Sequence, residues 1–252
     1  MLRNISKLMG YALASDDGEI GRCHDFLFDD RYWTVRYMVA DTGKWLPGRK
    51  VLVSPIALGE PNWEAERFPV KLTRKKIEES PPLEKDAPVS RQYEIKWFNY
   101  YGWPYYWVGA GLWGIDPYPH TLYGKTGDKA REKGIEPEKS HLRSVKEVTG
   151  YHIEASDGEI GHVEDFLVDE QAWSFRYLVV DTGNWLPGRK VLVKPSWVNS
   201  VDWIDRRVKI DLTSEGIKNS PEYDPAVPLT SDYESRLEAH YNLPIEKGFG
   251  PL

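Results

Sequence analysis

The chain contains one long sequence segment twice, and this repeat limits what the chain can fold into. When the sequence is shifted by 140 positions, residues 2–94 align with residues 142–234 without a gap, and 40 of the 93 aligned positions are identical. The most similar block, residues 41–53, recurs at residues 181–193 with a single change, from Lys44 to Asn184. The period is too long for a solenoid, so the repeat predicts two copies of one small domain.

Each copy carries the pattern of short strands separated by tight turns. In residues 33–40 the large side chains of Trp33, Val35, Tyr37 and Val39 occupy alternate positions, as they do in a strand. Residues 25–29, 50–53 and 67–72 are typical of further strands, with turn residues between them. We therefore expect an all-β fold of two tandem small antiparallel β-barrels, each followed by short helices.

Three polar residues precede helical patterns at the ends of the copies. Thr73 precedes a pattern that stops at Pro81, and Ser90 and Ser231 each precede a later one. Because side-chain oxygens at such positions accept backbone N–H groups, we expect these residues to be N-caps.

The region between the copies has two parts. Eleven of the 27 residues from 97 to 123 are aromatic, whereas residues 124–140 are charged and contain glycine, as linkers do. We expect residues 1–94 to form the first domain with its C-terminal helical segment. Residues 95–139 would form an aromatic bridge and polar linker, and residues 140–252 the second domain with its helix and tail. A cut within residues 124–140 should leave two fragments that stay together.

Composition excludes several classes of protein. A net charge of −6 disfavours a dedicated nucleic-acid binder, because phosphate would be repelled. The one cysteine, Cys23, excludes an internal disulfide framework and a zinc site built from cysteines. An uncharged stretch, residues 99–115, is interrupted by glycine and proline, so we expect no membrane-spanning helix. We expect a cytoplasmic protein, with the periphery of the inner membrane as the alternative location.

The triplet Asp-Thr-Gly occurs once in each copy, starting at Asp41 and at Asp181. In a two-lobed aspartic protease, two such aspartates would share one proton and activate water. The residues that follow here, Lys44-Trp and Asn184-Trp, lack the Ser or Thr that usually supports such a dyad. We therefore expect a strand end and turn in which each Asp side chain bonds local backbone amides. The repeated residues at these turns are predicted to be structural: Asp41, Gly43, Arg49, Asp181, Gly183 and Arg189.

No catalytic residue, metal site or cofactor site is predicted. None of the six histidines occupies the same position in both copies, and none forms a convincing ligand set with its neighbours. The aromatic bridge is instead the candidate interaction region. Its rings suit either a recognition surface or an oligomer interface, or they could pack between the two copies. Its candidate interaction residues are Tyr101, Trp103, Tyr105, Tyr106, Trp107 and Trp113.

The repeated residues resemble the PRC-barrel domain family. The resemblance rests on Asp17-Gly-Glu-Ile-Gly, Trp33-Thr-Val-Arg-Tyr, Asp41-Thr-Gly and Leu46-Pro-Gly-Arg-Lys-Val-Leu-Val, and it extends over residues 142–195 of the second copy. It implies a strongly bent antiparallel barrel per copy and no catalytic residues. The family includes the cytoplasmic domain of the photosynthetic reaction centre H subunit, and a related barrel occurs in a ribosome maturation factor.

Together these observations predict a non-catalytic protein that acts through protein–protein contacts, as an assembly or stress-response adaptor in a bacterium. One alternative is a peripheral accessory protein of a photosynthetic or electron-transfer membrane complex. The other is the two-lobed aspartic protease. The sequence identifies no partner, although a membrane-associated complex and a homo-oligomer are both compatible with it, and no nucleic acid is expected.

Overall fold

The computed structural model describes residues 1–47, 49–83, 89–127, 141–183 and 188–241. Most of the predicted polar linker, residues 128–139, lies outside the described residues, as does the tail from residue 242. The described chain is mostly β-structure with short helices. In chain order its strands are β1 (Leu2–Asn4), β2 (Ala12–Ser15), β3 (Gly18–Asp29), β4 (Thr34–Asp41), β5 (Lys50–Val53), β6 (Arg67–Pro69), β7 (Leu142–Ser144), β8 (His152–Ala155), β9 (Gly158–Asp169), β10 (Phe175–Asp181), β11 (Lys190–Val193), β12 (Val198–Asp202) and β13 (Arg207–Ile210).

Short helices connect and follow the strands. The α-helices are α1 (Arg74–Glu78), α2 (Arg91–Tyr101), α3 (Val145–Val148), α4 (Ser214–Lys218) and α5 (Ser231–Tyr241). The 3-10 helices are Ile5–Leu8, Pro55–Ala57, Pro119–Leu122 and Pro195–Trp197. The domain boundary predicted after residue 94 therefore falls inside α2.

The chain forms two compact units, and each takes a strand from the other copy. The first unit consists of Lys7–Val145 with Gln171–Ser174, and the second of Met1–Ser6, Lys146–Glu170 and Phe175–Leu252. In the first unit β7, which begins the second copy, pairs with β3. In the second unit β1, which begins the first copy, pairs with β9. The domain boundaries predicted at residues 94 and 139 therefore remain a prediction.

Each sheet is an open series of strands. The order is β5-β4-β3-β2-β6 in the first unit and β11-β10-β9-β8-β13-β12 in the second. The pairings β2–β6 and β8–β13 are parallel, so the prediction of a wholly antiparallel sheet is wrong at these positions. The reason is the connection after β5 and β11, which carries the chain to the opposite edge of its sheet. The described pairings therefore do not close either sheet into a barrel.

The predicted strand at residues 25–29 is the end of a longer one. β3 runs unbroken through Gly21, where the backbone φ is 152° and an added Cβ would lie 2.0 Å from the carbonyl oxygen of Asp41. Gly161 in β9 has the same relation to Asp181, also at 2.0 Å. Only glycine allows this close approach of two strands, which explains why both copies have it.

Two of the three predicted N-caps are correct. The hydroxyl of Thr73 accepts the N–H of Lys76, and that of Ser90 accepts the N–H of Tyr93. The prediction of Ser231 is wrong, because Thr230 caps α5 by accepting the N–H of Tyr233. Thr230 is the residue that aligns with Ser90, so the repeat alignment indicates the correct cap.

Candidate functional site

The aromatic bridge belongs to the first unit, where most of its candidate residues are buried. Trp103, Tyr105 and Tyr106 are at most 7% exposed, and Trp113 is completely buried, whereas Tyr101 and Trp107 are half-buried. This burial favours a packing role within the first unit for four of the six candidates, whereas packing between the two copies remains a prediction. A recognition surface would have to use other residues of the segment.

Helix α2 ends in a way that folds the bridge back over it. Gly102 has a φ of 74° and donates its N–H to the carbonyl of Phe98, which ends the helix and reverses the chain. The rings of Tyr105, Tyr106 and Trp107 then surround that of Phe98, with centroid distances of 5.3 to 6.0 Å. The bridge thus completes the core beside the small β-sheet.

Beneath the bridge lies a buried carboxylate, that of Glu94 in α2. Tyr37 and Tyr106 donate their hydroxyls to its Oε1 at 3.0 and 2.8 Å, and Arg91 donates to its Oε2 at 2.8 Å. Burial raises the pKa of Glu94, although its three donors act in the opposite direction. Burial also raises the pKa of both tyrosines well above the ordinary value, and the nearby carboxylate adds to this. Three donors engage the carboxylate, so its chemical role is to hold β4, α2 and the bridge together.

Arg36 connects the same bridge to the sheet. It is the extra residue at a β-bulge, since Val35 pairs with Phe28 and Tyr37 with Leu27. Its guanidinium lies 4.1 Å from the ring centroid of Tyr106 and 4.9 Å from that of Trp113. It also donates to the carbonyl of Leu112 and to Asp29 Oδ2, the latter at 3.3 Å. An arginine that is 1% exposed is thus held by ring faces, a carboxylate and a backbone oxygen.

The second copy keeps one bond of this cluster. The hydroxyl of Tyr177 donates to Glu234 Oε1 at 2.9 Å, as Tyr37 does to Glu94. Arg176 occupies the equivalent bulge in β10 but is exposed. The first unit therefore has an aromatic cover over a face that is more polar in the second.

Substitutions between the copies match this difference. Phe98, which contacts the bridge rings, is replaced by Glu238, and Glu238 pairs with Lys194 at 2.6 Å. Ile56 is completely buried, whereas its counterpart Ser196 is exposed. At these two positions the second copy has polar residues where the first copy has apolar ones.

The repeated turn residues make equivalent bonds in the two copies. Asp41 Oδ1 accepts the N–H of Gly43 at 3.0 Å, and Asp181 Oδ1 accepts that of Gly183 at 2.7 Å. Arg49 donates to the carbonyls of Glu78 and Ser80, both at 2.7 Å, at the C-terminal end of α1. Arg189 donates in the same way to the carbonyl of Ser220 after α4. Both aspartates and both arginines therefore hold turns and helix ends.

Sequence reasoning missed the cluster around Glu94 and Arg36. The pair Tyr37–Glu94 recurs as Tyr177–Glu234, and this repetition was a usable signal. The bulge at Arg36 had none, because its strand pattern is regular. Among the described residues, no group of three or more His, Cys, Asp or Glu side chains could hold a metal ion.

Part of the bridge remains exposed. Ile115 is 55% exposed, Tyr118 38% and Tyr123 39%. These are three of the seven large apolar residues that are exposed in the described chain, and they lie within nine positions of each other. We call these three residues the outer face of the bridge.

Comparison with known families gives one match. Residues 144–217 match the PRC-barrel domain. This range contains β8–β13 and most of α4, so the resemblance is shown for the second copy. No curated protein matches the chain. None of the described helices has both the length and the apolar character needed to cross a bilayer.

Proposed function

We propose that the first copy is also a PRC-barrel domain, so that the chain carries two in tandem. Its support is the repeat itself, with 40 identical residues in 93 and the Asp-Thr-Gly turn, the β-bulge arginine and the Tyr–Glu bond in both copies. The equivalent strand registers and anchoring bonds of the two copies support one domain type for both.

We propose that the protein is not an enzyme and acts through protein–protein contacts. The polar residues that recur in both copies, such as Asp41 and Arg49, are engaged in turns and helix ends. A protease dyad would need both aspartates to share one proton, whereas each of them accepts a backbone N–H of its own turn. This use supports a structural role for the Asp-Thr-Gly triplets.

The contact surface that we propose is the outer face of the bridge. The observation that carries this proposal is the concentration of Ile115, Tyr118 and Tyr123 on a segment whose other aromatic rings are buried or half-buried. Exposed apolar and aromatic side chains on a firmly packed support are typical of protein interaction sites. The expected partner is another protein with a complementary apolar surface.

The experiment is a pull-down with two matched double variants. Ile115→Ser/Tyr118→Ser changes the outer face, and Ile204→Ser/Val227→Ser changes residues of the second unit that are 92% and 58% exposed. We expect a partner that wild type and the second variant capture and the first loses, with equal melting temperatures for all three. Capture from the soluble fraction would favour an adaptor, and capture from solubilised membranes an accessory protein of a membrane complex. A partner that both variants retain would refute the proposed surface.

A further inference from the structure

Each unit has a site that binds the first strand of the other copy, and the two sites are built alike. In the second unit Leu2, Arg3 and Asn4 pair with Asp169, Val168 and Leu167. In the first unit Leu142, Arg143 and Ser144 pair with Asp29, Phe28 and Leu27. The paired residues are equivalent in the repeat, so both sites bind their strand in one register.

The side chains that anchor the two strands also correspond. Arg3 Nε lies 2.9 Å from Glu170 Oε2, and Arg143 Nε lies 2.9 Å from Asp30 Oδ2. The next residue of each strand donates to a second carboxylate, Asn4 to Asp165 at 2.9 Å and Ser144 to Asp25. The backbone agrees, since the N–H of Glu170 bonds Met1 and that of Asp30 bonds His141. Each site thus holds a strand that begins with Leu-Arg and continues with Asn or Ser.

The N-terminal strand β1 is three residues long and joins the sheet of the second unit at a single strand, β9. Leu2, Arg3 and Asn4 are all partly exposed, and β1 joins the sheet through these residues at the side of β9. Short strands whose side chains are all partly exposed open at a lower free energy than the core of a domain. An opened site then offers unpaired backbone groups and two carboxylates to any matching strand.

We propose that this site of the second unit also binds the N-terminal strand of a second copy of this chain, which produces an exchanged dimer. The incoming strand is identical to the one it replaces, so the pairing and the ion pair are retained and only the connection differs. The chain's own strand competes with the incoming strand for the site, and it does so at a high effective concentration. The population of the dimer should therefore rise with protein concentration. This inference does not depend on the outer face of the bridge.

The test uses charge reversal at Arg3 and Glu170. The variants Arg3→Glu and Glu170→Arg each place like charges together when a chain binds its own strand. When the two variants are mixed, exchange between chains pairs opposite charges at both sites. We expect about tenfold more dimer in the mixture than in either variant alone, measured by native mass spectrometry. The double variant Arg3→Glu/Glu170→Arg restores an opposite-charge pair within one chain but loses the 3.1 Å contact of the Met1 amino group with Glu170, so it should form less dimer than the mixture.

A second measurement covers the case in which a reversed charge disrupts the strand altogether. Isotopically heavy and light wild-type chains are incubated together at increasing concentration and analysed for dimers of mixed mass. Dimers of mixed mass that wild type forms and Arg3→Glu alone does not form agree with exchange, because the strand of that variant no longer binds the site. The proposal is overturned if both mixtures remain monomeric, or if each charge variant alone dimerises as much as their mixture.

Discussion

Cleavage of the chain between residues 128 and 140 should leave two fragments that remain bound to each other. The N-terminal fragment supplies Met1–Ser6 to the second unit, and the C-terminal fragment supplies residues 141–145 and Gln171–Ser174 to the first. Neither unit is complete without the other fragment. The association of the two fragments is therefore expected from the strands that each copy supplies to the other unit.

Trp173 provides the magnitude for this prediction. Its side chain is 6% exposed, its ring centroid lies 6.3 Å from that of Phe26 and 6.0 Å from that of Phe68, and its carbonyl accepts the N–H of Val35 at 2.7 Å. Replacement of a buried tryptophan by alanine typically costs about 3–5 kcal/mol. Because the ring comes from one fragment and its neighbours from the other, Trp173→Ala should raise the dissociation constant of the fragments by roughly 100-fold or more.

The assay needs an inserted protease site, complete cleavage and dilution of the cleaved protein in an analytical ultracentrifuge. Trp203→Ala is the matched control, since Trp203 and its ring neighbour Tyr151 both lie in the C-terminal fragment, 6.1 Å apart. We expect one sedimenting species for wild type, weak association for Trp173→Ala and near wild-type association for Trp203→Ala. The reasoning fails if the wild-type fragments sediment separately at micromolar concentration, or if both variants change the affinity equally.

Three further predictions concern single residues. Gly21→Ala should destabilise the protein by more than about 2 kcal/mol because its Cβ would overlap a carbonyl oxygen, whereas Gly43→Ala, with a φ of 55° and open space, should cost only about 1 kcal/mol in urea unfolding. Burial raises the pKa of the Glu94 carboxyl, so the folded state keeps this group protonated to a higher pH than the unfolded state does. The free energy of unfolding should therefore fall as the pH rises above about 4.5. Glu94→Gln should remove that part of the pH dependence of the melting temperature. Hydrogen bonds from Ser15 and from the N–H of Arg74 lower the pKa of Asp17, so its contribution to stability is present above about pH 3.8 and is lost at lower pH. Acid titration of Asp17→Asn tests this. The variant should be less stable than wild type at neutral pH and should lose less stability on acidification.

Features that depend on neighbouring residues could be predicted from the sequence. The turn at Asp41 and the caps at Thr73 and Ser90 each arise from a side chain that bonds a backbone group two or three residues away. Such bonds need no knowledge of the rest of the fold. The β-rich character followed from alternation in the same way.

The choice of partner strand could not be predicted. Leu2-Arg-Asn and Leu142-Arg-Ser are equivalent, and so are the strands that receive them, so pairing within a copy and between copies satisfies the same local rules. The difference depends on the connections and on the whole chain. The cluster at Glu94 was missed for a related reason, since a glutamate near a helix start is normally solvated, and only the bridge buries it.

The pairing of strands between the two copies also determines the order in which the sheets can be completed during synthesis. Asp25 in β3 must wait for Ser144, which the ribosome adds 119 residues later, a delay of roughly 6–24 seconds at about 5–20 residues per second. During this interval residues 27–29 of β3 lack their pairing with β7 and present unpaired backbone groups to other nascent chains. Met1–Ser6, in turn, leaves the ribosome well before its acceptor around Asp165 exists. Premature arrest of translation would therefore release an incomplete sheet, which lacks the strand that the second copy supplies.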